Sequence, residues 1–110
     1  MKYPRLFEPG QIGKLKLKNR IAVTPVGLPY ACSNGEVSED LMVYLEERAK
    51  AGAGLVMPGI VLVDPETGKV KANELVLCNE GQMTSFARLA RRIHKYDAKI
   101  FLQLYHPGKE

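Results

Sequence analysis

The chain has 110 residues, of which 45% are hydrophobic and 25% are charged, and its net charge is +4. This length allows one domain at most. The modest charge, without a concentration of basic and aromatic residues, argues against a nucleic-acid partner. No apolar run approaches the ~20 residues needed to span a bilayer, and the N-terminus lacks the apolar core of a signal peptide. We therefore expect a cytoplasmic protein with no membrane partner.

The first 19 residues predict a small antiparallel cap. The stretch Ile12–Leu15 resembles a tight hairpin turn. Leu15 and Leu17 then alternate with lysines, as in a strand with one solvated face. We expect this cap (1–19) to lead into the strands and helices of the remaining chain (20–110).

The stretch Arg20–Gly27, with the sequence R-I-A-V-T-P-V-G, predicts a short buried strand that ends at a ligand site. Ile, Val and Thr favour a pleated conformation, and Pro25 must leave a central ladder because it has no N–H to donate. Gly27 allows a close approach of the backbone to a ligand. In α/β folds, ligand sites lie at the carboxyl ends of the strands.

The next segment, Gly27–Val37, is a loop that is long for a connection between a strand and a helix, and long loops are often functional. Tyr30 in this loop is a candidate to line a substrate pocket, or it simply packs the loop down. Ser38 is suited to cap the first helix, on whose solvated side Glu46 and Lys50 predict an i,i+4 pair. The buried stripe of this helix is predicted to contain Leu41, Met42, Leu45 and Ala49.

A second strand and a second helix follow. Leu55–Val63 is nearly all apolar, which is typical of a strand covered on both faces. Because Pro58-Gly59 interrupts it, we predict a regular strand over Leu55–Met57 and a loop from Pro58. The stretch Val70–Leu77 is ambiguous, either irregular throughout or irregular with a short strand. The second helix is predicted from about Gly81 or Gln82 to Tyr96. Its apolar stripe would contain Met83, Phe86, Ala90 and Ile93, and its solvated side Arg88, Arg91, Arg92 and Lys95.

The third strand is predicted over Lys99–Tyr105. We expect His106, at its end, to fix the following turn by a backbone hydrogen bond, the alternative being contact with a phosphate or a substrate. Strands that alternate with helices predict an α/β fold with a parallel sheet and right-handed crossovers. Three strands and two helices make only part of such an architecture.

The carboxyl ends of the three strands share one edge of the predicted sheet, and Gln103 is the most informative residue there. Burying an amide among Phe101, Leu102 and Leu104 is costly unless the amide is paired. A planar heterocycle with carbonyl groups and ring nitrogens would pair it, and so would the neighbouring backbone. Both interpretations stay open on the residues alone.

The two cysteines, Cys32 and Cys78, are far apart and form no C-x-x-C motif. This spacing indicates neither a disulfide nor a metal site. The sequence also lacks a Ser-His-Asp set, a cluster of metal ligands, a G-x-G-x-x-G motif and a P-loop.

Three segments of the chain resemble the N-terminal part of the old yellow enzyme (NADH:flavin oxidoreductase) family. They are L-K-N-R-I-A-V-T-P-V-G (Leu17–Gly27), E-R-A-K-A-G-A-G-L-V (Glu47–Val56) and F-L-Q-L-Y-H-P-G-K (Phe101–Lys109). The resemblance extends over all 110 residues and is closest to the branch of 2,4-dienoyl-CoA reductases and 2-enoate (bile-acid-type) reductases. It implies the N-terminal portion of a TIM (β/α)8 barrel, with about three β/α units and a hairpin cap.

The resemblance also implies a function, namely the reduction of C=C bonds in α,β-unsaturated carbonyl or enoyl/dienoyl substrates, with FMN as cofactor and NAD(P)H as reductant. Gln103 would bond the pyrimidine side of the flavin and Gly59 would lie at the ring edge. The residues along the ring would be Thr24, Pro25, Val26 and Gly27. Catalytic residues are expected beyond Glu110, and an iron–sulfur cluster or a second flavin domain only in a longer parent chain.

Two other interpretations stay open. The chain could be a non-catalytic fragment that associates with itself, or a piece of a phosphate-binding TIM barrel without flavin. Because the third strand would have one unpaired edge, which is a template for pairing with another chain, we expect a homo-oligomer.

Overall fold

The computed structural model of the protein describes residues 2–26, 30–68 and 73–108, apart from the side chains of 67 and 68. A 3-10 helix (Pro4–Phe7) precedes an antiparallel hairpin of β1 (Gly10–Ile12) and β2 (Leu15–Leu17). Ile12 pairs with Leu15 across the turn, where Gly13 has a φ of 56° that glycine adopts readily. The predicted hairpin is confirmed, with Leu17 buried and Lys16 exposed.

The first sheet consists of three parallel strands in the order β3 (Ala22–Val23), β4 (Leu55–Val56) and β7 (Lys99–Ile100). Helix α1 (Glu39–Lys50) connects β3 to β4, and helix α3 (Glu80–His94) lies between β4 and β7. The predicted alternation of strands and helices and the parallel sheet are therefore confirmed.

A second parallel sheet follows the carboxyl ends of the first, in the order β6 (Leu75–Val76), β5 (Val61–Leu62) and β8 (Leu104–Tyr105). A short helix, α2 (Pro65–Gly68), connects β5 to β6. The prediction of one unbroken strand from Lys99 to Tyr105 was wrong. The strand predicted over Leu55–Met57 is present as β4, but the loop predicted from Pro58 contains a further strand, β5. Residues 57–60, between β4 and β5, and residues 101–103, between β7 and β8, are irregular. The first of these stretches contains Pro58, which has no N–H to donate to a strand ladder.

The apolar core lies between the helices and the sheets. Ser38 caps α1 by accepting a hydrogen bond from the backbone N–H of Leu41 at 3.1 Å. The predicted stripe of this helix is confirmed, since its buried residues are Leu41, Met42, Leu45 and Ala49.

Helix α3 presents a different face from the predicted one. It is capped by Asn79 and buries Phe86 and Ile93 as predicted, but Met83 is 57% exposed. The other residues that it buries are Gln82, Ser85 and Leu89. The prediction was wrong for Met83 because two polar side chains occupy the buried face, where they bond the backbone of a neighbouring loop.

An ion-pair cluster joins the outer sides of α1 and α3, which corrects two predictions. Glu46 does not pair with Lys50, because its Oε1 accepts from Nη2 of Arg92 at 2.8 Å. Nη1 of Arg92 bonds Oε2 of Glu39, also at 2.8 Å, so Arg92 is not merely solvated. The hydrogen bond from Arg92 is the largest cause that lowers the pKa of Glu46, and the bonds to Glu39 and Glu46 raise the pKa of Arg92.

The buried side chain of Asn19 fixes the start of the first sheet. Its Nδ2 donates to the carbonyl of Gly52, after the end of α1, at 2.7 Å, and its Oδ1 accepts from the N–H of Ile21 at 3.1 Å. A Cβ added to Gly54 would lie only 2.5 Å from this Oδ1. Asn19 therefore connects the end of α1 to the strand that carries the predicted ligand site.

Candidate functional site at the strand ends

Three of the predicted site residues, each following one strand of the first sheet, come together at Gly59. Gly59 is buried, and a Cβ added there would lie 2.8 Å from both Cβ and Oε1 of Gln103 and 3.1 Å from Cβ of Pro25. Real Cβ atoms essentially never approach another heavy atom within 3.0 Å. Only glycine therefore lets Pro25 and Gln103 lie this close to the second strand.

Backbone hydrogen bonds bring these residues to the same edge. The N–H of Met57 donates to the carbonyl of Val23 at 3.0 Å, and the N–H of Gln103 donates to the carbonyl of Pro58 at 3.2 Å. The carbonyl of Gln103 accepts from Val61 at 2.9 Å. Both backbone groups of Gln103 are thus used between the two sheets, which holds its Cα in place and leaves its side chain to other partners.

Gln103 is exposed, and within the described ranges no hydrogen bond engages its side-chain amide. Its surroundings are more open than predicted, since Phe101 and Leu104 are also exposed. Ile100 and Leu102 pack against the core, whereas Phe101, Gln103 and Leu104 do not belong to it and are exposed.

The remaining predicted residues are only partly located. Ile21 and Val23 pack against the core, whereas Thr24 and Val26, which follow β3, are exposed. Gly27 lies outside the described residues.

Tyr30 follows at the start of the described loop, with 53% of its surface exposed. Its carbonyl accepts a hydrogen bond from the Oγ of Ser38. The backbone of Tyr30 is therefore held at the amino end of α1 while its ring stays accessible.

His106 behaves as predicted on the residues alone. Its Nδ1 accepts a hydrogen bond from the backbone N–H of Gly108 at 2.9 Å. The histidine thus fixes the turn after β8, where Gly108 adopts a φ of 70°.

A separate groove of about 900 Å³ lies at the opposite ends of the strands. Its walls come from the hairpin and from the beginnings of β3 and β4, including Ile12, Leu17, Ile21 and Leu55. Because α/β enzymes bind ligands at the carboxyl ends of their strands, this groove is not the predicted site.

Two properties of the described part of the chain bear on cofactors and partners. None of its groups of His, Cys, Asp and Glu could hold a metal ion. None of its helices combines the length and the apolar character needed to cross a bilayer.

The strand-end site fits one edge of a planar, hydrogen-bonding heterocycle. The amide of Gln103 offers both a donor and an acceptor, and Gly59 beside it presents no side chain to the approaching ring. A phosphate, by contrast, is bound by cations or by several N–H groups. The described strand ends present instead an uncharged amide, a proline and a glycine.

The model of the NADH:flavin oxidoreductase / NADH oxidase family matches residues 5–110. The chain therefore belongs to this family of oxidoreductases, which includes the old yellow enzymes.

Individual relatives agree with this assignment. The chain is 40% identical over 108 residues to an NADH oxidase from Thermoanaerobacter brockii, covering 98% of this chain and 17% of that protein. It is 34% identical over 106 residues to a cinnamate reductase from Clostridium sporogenes, covering 93% and 16% of the two chains. The old yellow enzyme from Trypanosoma cruzi superposes with a TM-score of 0.87 at 29% identity, covering 99% of this chain and 29% of that one.

The described structure is an open section of a TIM barrel that spans only a small part of these relatives' length. The predicted fold class is confirmed.

Proposed function

We propose that the chain is the N-terminal part of an FMN-dependent NAD(P)H oxidoreductase that reduces C=C bonds of α,β-unsaturated carbonyl or enoyl/dienoyl substrates. The contact of Pro25, Gly59 and Gln103 at the carboxyl ends of three parallel strands is the observation that carries this proposal. Membership of the flavin oxidoreductase family supports the flavin. The relative named cinnamate reductase supports the substrate class, because cinnamate is an α,β-unsaturated carboxylate.

FMN supplies the hydride chemistry when it is bound, whereas the protein binds and orients the reacting groups. Gln103 is the residue of this chain that recognises the pyrimidine edge of the ring. Its amide N–H donates where the ring carries negative charge, and its amide oxygen accepts from a ring N–H. An uncharged donor held by a fixed backbone stabilises such charge without reorganising.

Gly59 would provide the close approach to this edge, and Thr24, Pro25 and Val26 would line the ring. The exposed Tyr30 side chain borders the substrate. The general acid and the residues that anchor the substrate belong to parts of the parent enzyme outside this chain, as does any iron–sulfur cluster.

The decisive experiment is flavin binding followed by turnover in the enzyme that contains these 110 residues. We expect the purified protein to show a flavin absorption band, to release FMN on denaturation, and to oxidise NADH or NADPH when cyclohexenone is added. A protein that neither holds FMN nor reduces an enone would contradict the proposed function.

The third-strand side of the sheets supports a separate proposal for the 110-residue chain alone. β7 and β8 each pair on one side only among the described strands, and Leu104 in β8 is exposed. An open apolar strand edge is a template for another chain. We therefore propose that the isolated chain is a homo-oligomer in solution, which light scattering would show as a mass above 12.2 kDa.

A further inference from the structure

Two buried polar side chains of α3 hold the loop that precedes α1. Ser85 is 1% exposed and Gln82 is 4% exposed, although their neighbours on this face are apolar. The Oγ of Ser85 accepts from the backbone N–H of Val37 at 3.0 Å and donates to the carbonyl of Gln82 at 2.8 Å. Burying a hydroxyl on an apolar helix face is unfavourable unless it is bonded, and here Val37 in the loop is one of its partners.

The amide of Gln82 extends the same attachment. Its Nε2 donates to the carbonyl of Asn34 at 2.7 Å, and its Oε1 accepts from the N–H of Cys78 at 2.8 Å. Gln82 thus links the middle of the loop to the segment between β6 and α3. A hydrophobic residue of similar size would leave both backbone groups without these partners.

The tip of the loop packs closely against this anchor. Gly35 has a φ of +84°, and a Cβ there would lie 2.7 Å from Cβ of Val76 and 2.9 Å from Nε2 of Gln82. Its carbonyl accepts from the N–H of Val76 at 3.0 Å. The loop is therefore joined to β6 as well as to α3.

The beginning of the loop is fixed in the same way. The N–H of Ala31 donates to the carbonyl of Asn73 at 3.2 Å, and the carbonyl of Tyr30 accepts from Ser38. Ala31 is buried whereas the Tyr30 side chain is exposed. The backbone of Tyr30 is consequently held between anchored groups, with its ring directed away from the core.

The anchor and the strand-end site are connected through the second sheet. β6 pairs with β5, and β5 pairs with β8, which begins one residue after Gln103. The N–H of Val61 in β5 bonds the carbonyl of Gln103 directly. The sheet that holds the tip of the loop thus also holds the backbone of the residue expected to bind the cofactor.

We propose that Gln82 and Ser85 are positioning residues for substrate binding, which fix the loop 30–37 against β6 so that Tyr30 forms a rigid wall of the site. This inference rests on the proposed function and identifies an α,β-unsaturated carbonyl as the ligand that Tyr30 meets. Neither positioning residue touches the substrate or the cofactor. They act by pre-organising Tyr30, whose ring then loses little freedom when the substrate binds.

The test compares Gln82→Leu, Ser85→Ala and Tyr30→Ala in the FMN-loaded enzyme that contains these residues. Thr84→Ala is the matched control, because Thr84 lies on the same helix but bonds only the carbonyl of Glu80 and is exposed. We expect KM for cyclohexenone to rise roughly three- to tenfold in the first three variants, as the loss of one or two hydrogen bonds implies. FMN content and the rate of flavin reduction by NAD(P)H should be unchanged in Gln82→Leu and Ser85→Ala, which alter neither a substrate contact nor a cofactor contact.

A double-variant cycle separates positioning from a general loss of structure. In a Tyr30→Ala background, Gln82→Leu or Ser85→Ala should raise KM no further, because the residue through which they act is gone. A full additional increase in that background would overturn the inference, and so would an unchanged KM in the single variants.

If the variants fail to fold, hydrogen exchange in the unaltered enzyme still tests whether the loop is anchored. The amide hydrogen of Val37, bonded to Ser85, should exchange as slowly as the amides in the middle of α3. Exchange at the rate of an open loop would refute the anchoring. If the unaltered enzyme holds no FMN or reduces no enone, the proposed function fails, whereas normal turnover without the KM effects contradicts only the positioning role.

Discussion

The two faces of the first sheet differ in what their side chains contact. On the helix side, Ile21, Val23 and Ile100 pack against the core formed by α1 and α3. On the other side, Thr24 and Gln103 are exposed. Packing thus accounts for the residues on one face, whereas those on the other remain available to a ligand or to further parts of a barrel.

This difference separates substitutions that act on binding from those that act on stability. Changes on the open face should alter cofactor or substrate binding with little effect on unfolding. Substitutions between α1 and α3 should alter the stability to unfolding, with little effect on cofactor or substrate binding.

The largest effect is expected when the open face is left without the rest of the barrel. We expect the isolated 110-residue chain to show no turnover of cyclohexenone with NADPH and to hold no stoichiometric FMN, because its strand ends supply only one edge of the site. Measured turnover by the 12.2 kDa species would contradict this expectation.

The next largest effect is expected at the contact of the three strand ends. Gly59→Val in the FMN enzyme would drive a side chain into Pro25 and Gln103, and overpacking together with the displaced amide should weaken FMN binding by about 3 kcal/mol or more. Fluorescence titration with FMN measures this loss.

Gly81→Ala is the matched control for this glycine, because a Cβ there meets nothing closer than 3.6 Å. Equal FMN affinities for Gly59→Val and Gly81→Ala would show that the close approach at Gly59 is irrelevant to the cofactor.

A smaller and more selective effect is expected at Gln103. Gln103→Leu should weaken FMN binding by roughly 1–3 kcal/mol, because the hydrogen bonds of one amide are lost. The midpoint of urea unfolding of the apoprotein should stay the same, since no described residue bonds this side chain. Unchanged FMN affinity and flavin potential would exclude Gln103 from the cofactor site, and Gln11→Leu, in the hairpin, serves as the control.

The smallest effect is expected on the helix side, in the cluster of Glu46 and Arg92. The pKa of Glu46 is lowered in the folded state from its ordinary value of 4.5, chiefly by the hydrogen bond from Arg92. A carboxyl whose pKa is lowered by folding stabilises the fold above its unfolded pKa, and this contribution disappears as the pH falls through the folded pKa.

We therefore expect Glu46→Gln to destabilise the protein at pH 7 by at most about 1 kcal/mol, with the difference vanishing at a pH well below 4.5. Urea unfolding at a series of pH values measures this change in stability. The affinity for FMN should be the same in Glu46→Gln as in the unaltered protein. Glu39→Gln should have less effect, because that side chain is 72% exposed compared with 14% for Glu46. If the loss of stability caused by Glu46→Gln became larger as the pH falls, folding would raise the pKa of Glu46 rather than lower it.

Local sequence rules predicted the parts of the fold in which each element depends on its own residues. The cap at Ser38, the buried stripe of α1 and the turn at Gly13 all follow from short-range patterns, and all three are confirmed. The pairing of Glu46 is different, because i,i+4 spacing could not reveal a partner 46 residues away in Arg92.

The candidate site was only partly predictable for the same reason. The residue types predicted that the segments containing Pro25, Gly59 and Gln103 share one edge of the sheet, since parallel strands place their carboxyl ends together. The attachment of the loop to α3 was missed. The only indication in the sequence was the pair of polar residues Gln82 and Ser85, three positions apart. The predicted apolar stripe of this helix contained Met83 and included neither of them.

The way in which the loop 30–37 is anchored has a consequence for how the protein tolerates sequence variation. The groups that anchor the loop are all backbone atoms, namely those of Tyr30, Ala31, Asn34, Gly35 and Val37. Outward-facing side chains such as Cys32 and Ser33 contribute nothing to these bonds. Substitutions at Cys32 and Ser33 can therefore change the side chains displayed along this loop without removing any bond that anchors it. Asn34, whose Oδ1 accepts from the N–H of Glu36 at 3.1 Å, and Gly35, with its φ of +84°, are constrained by contrast.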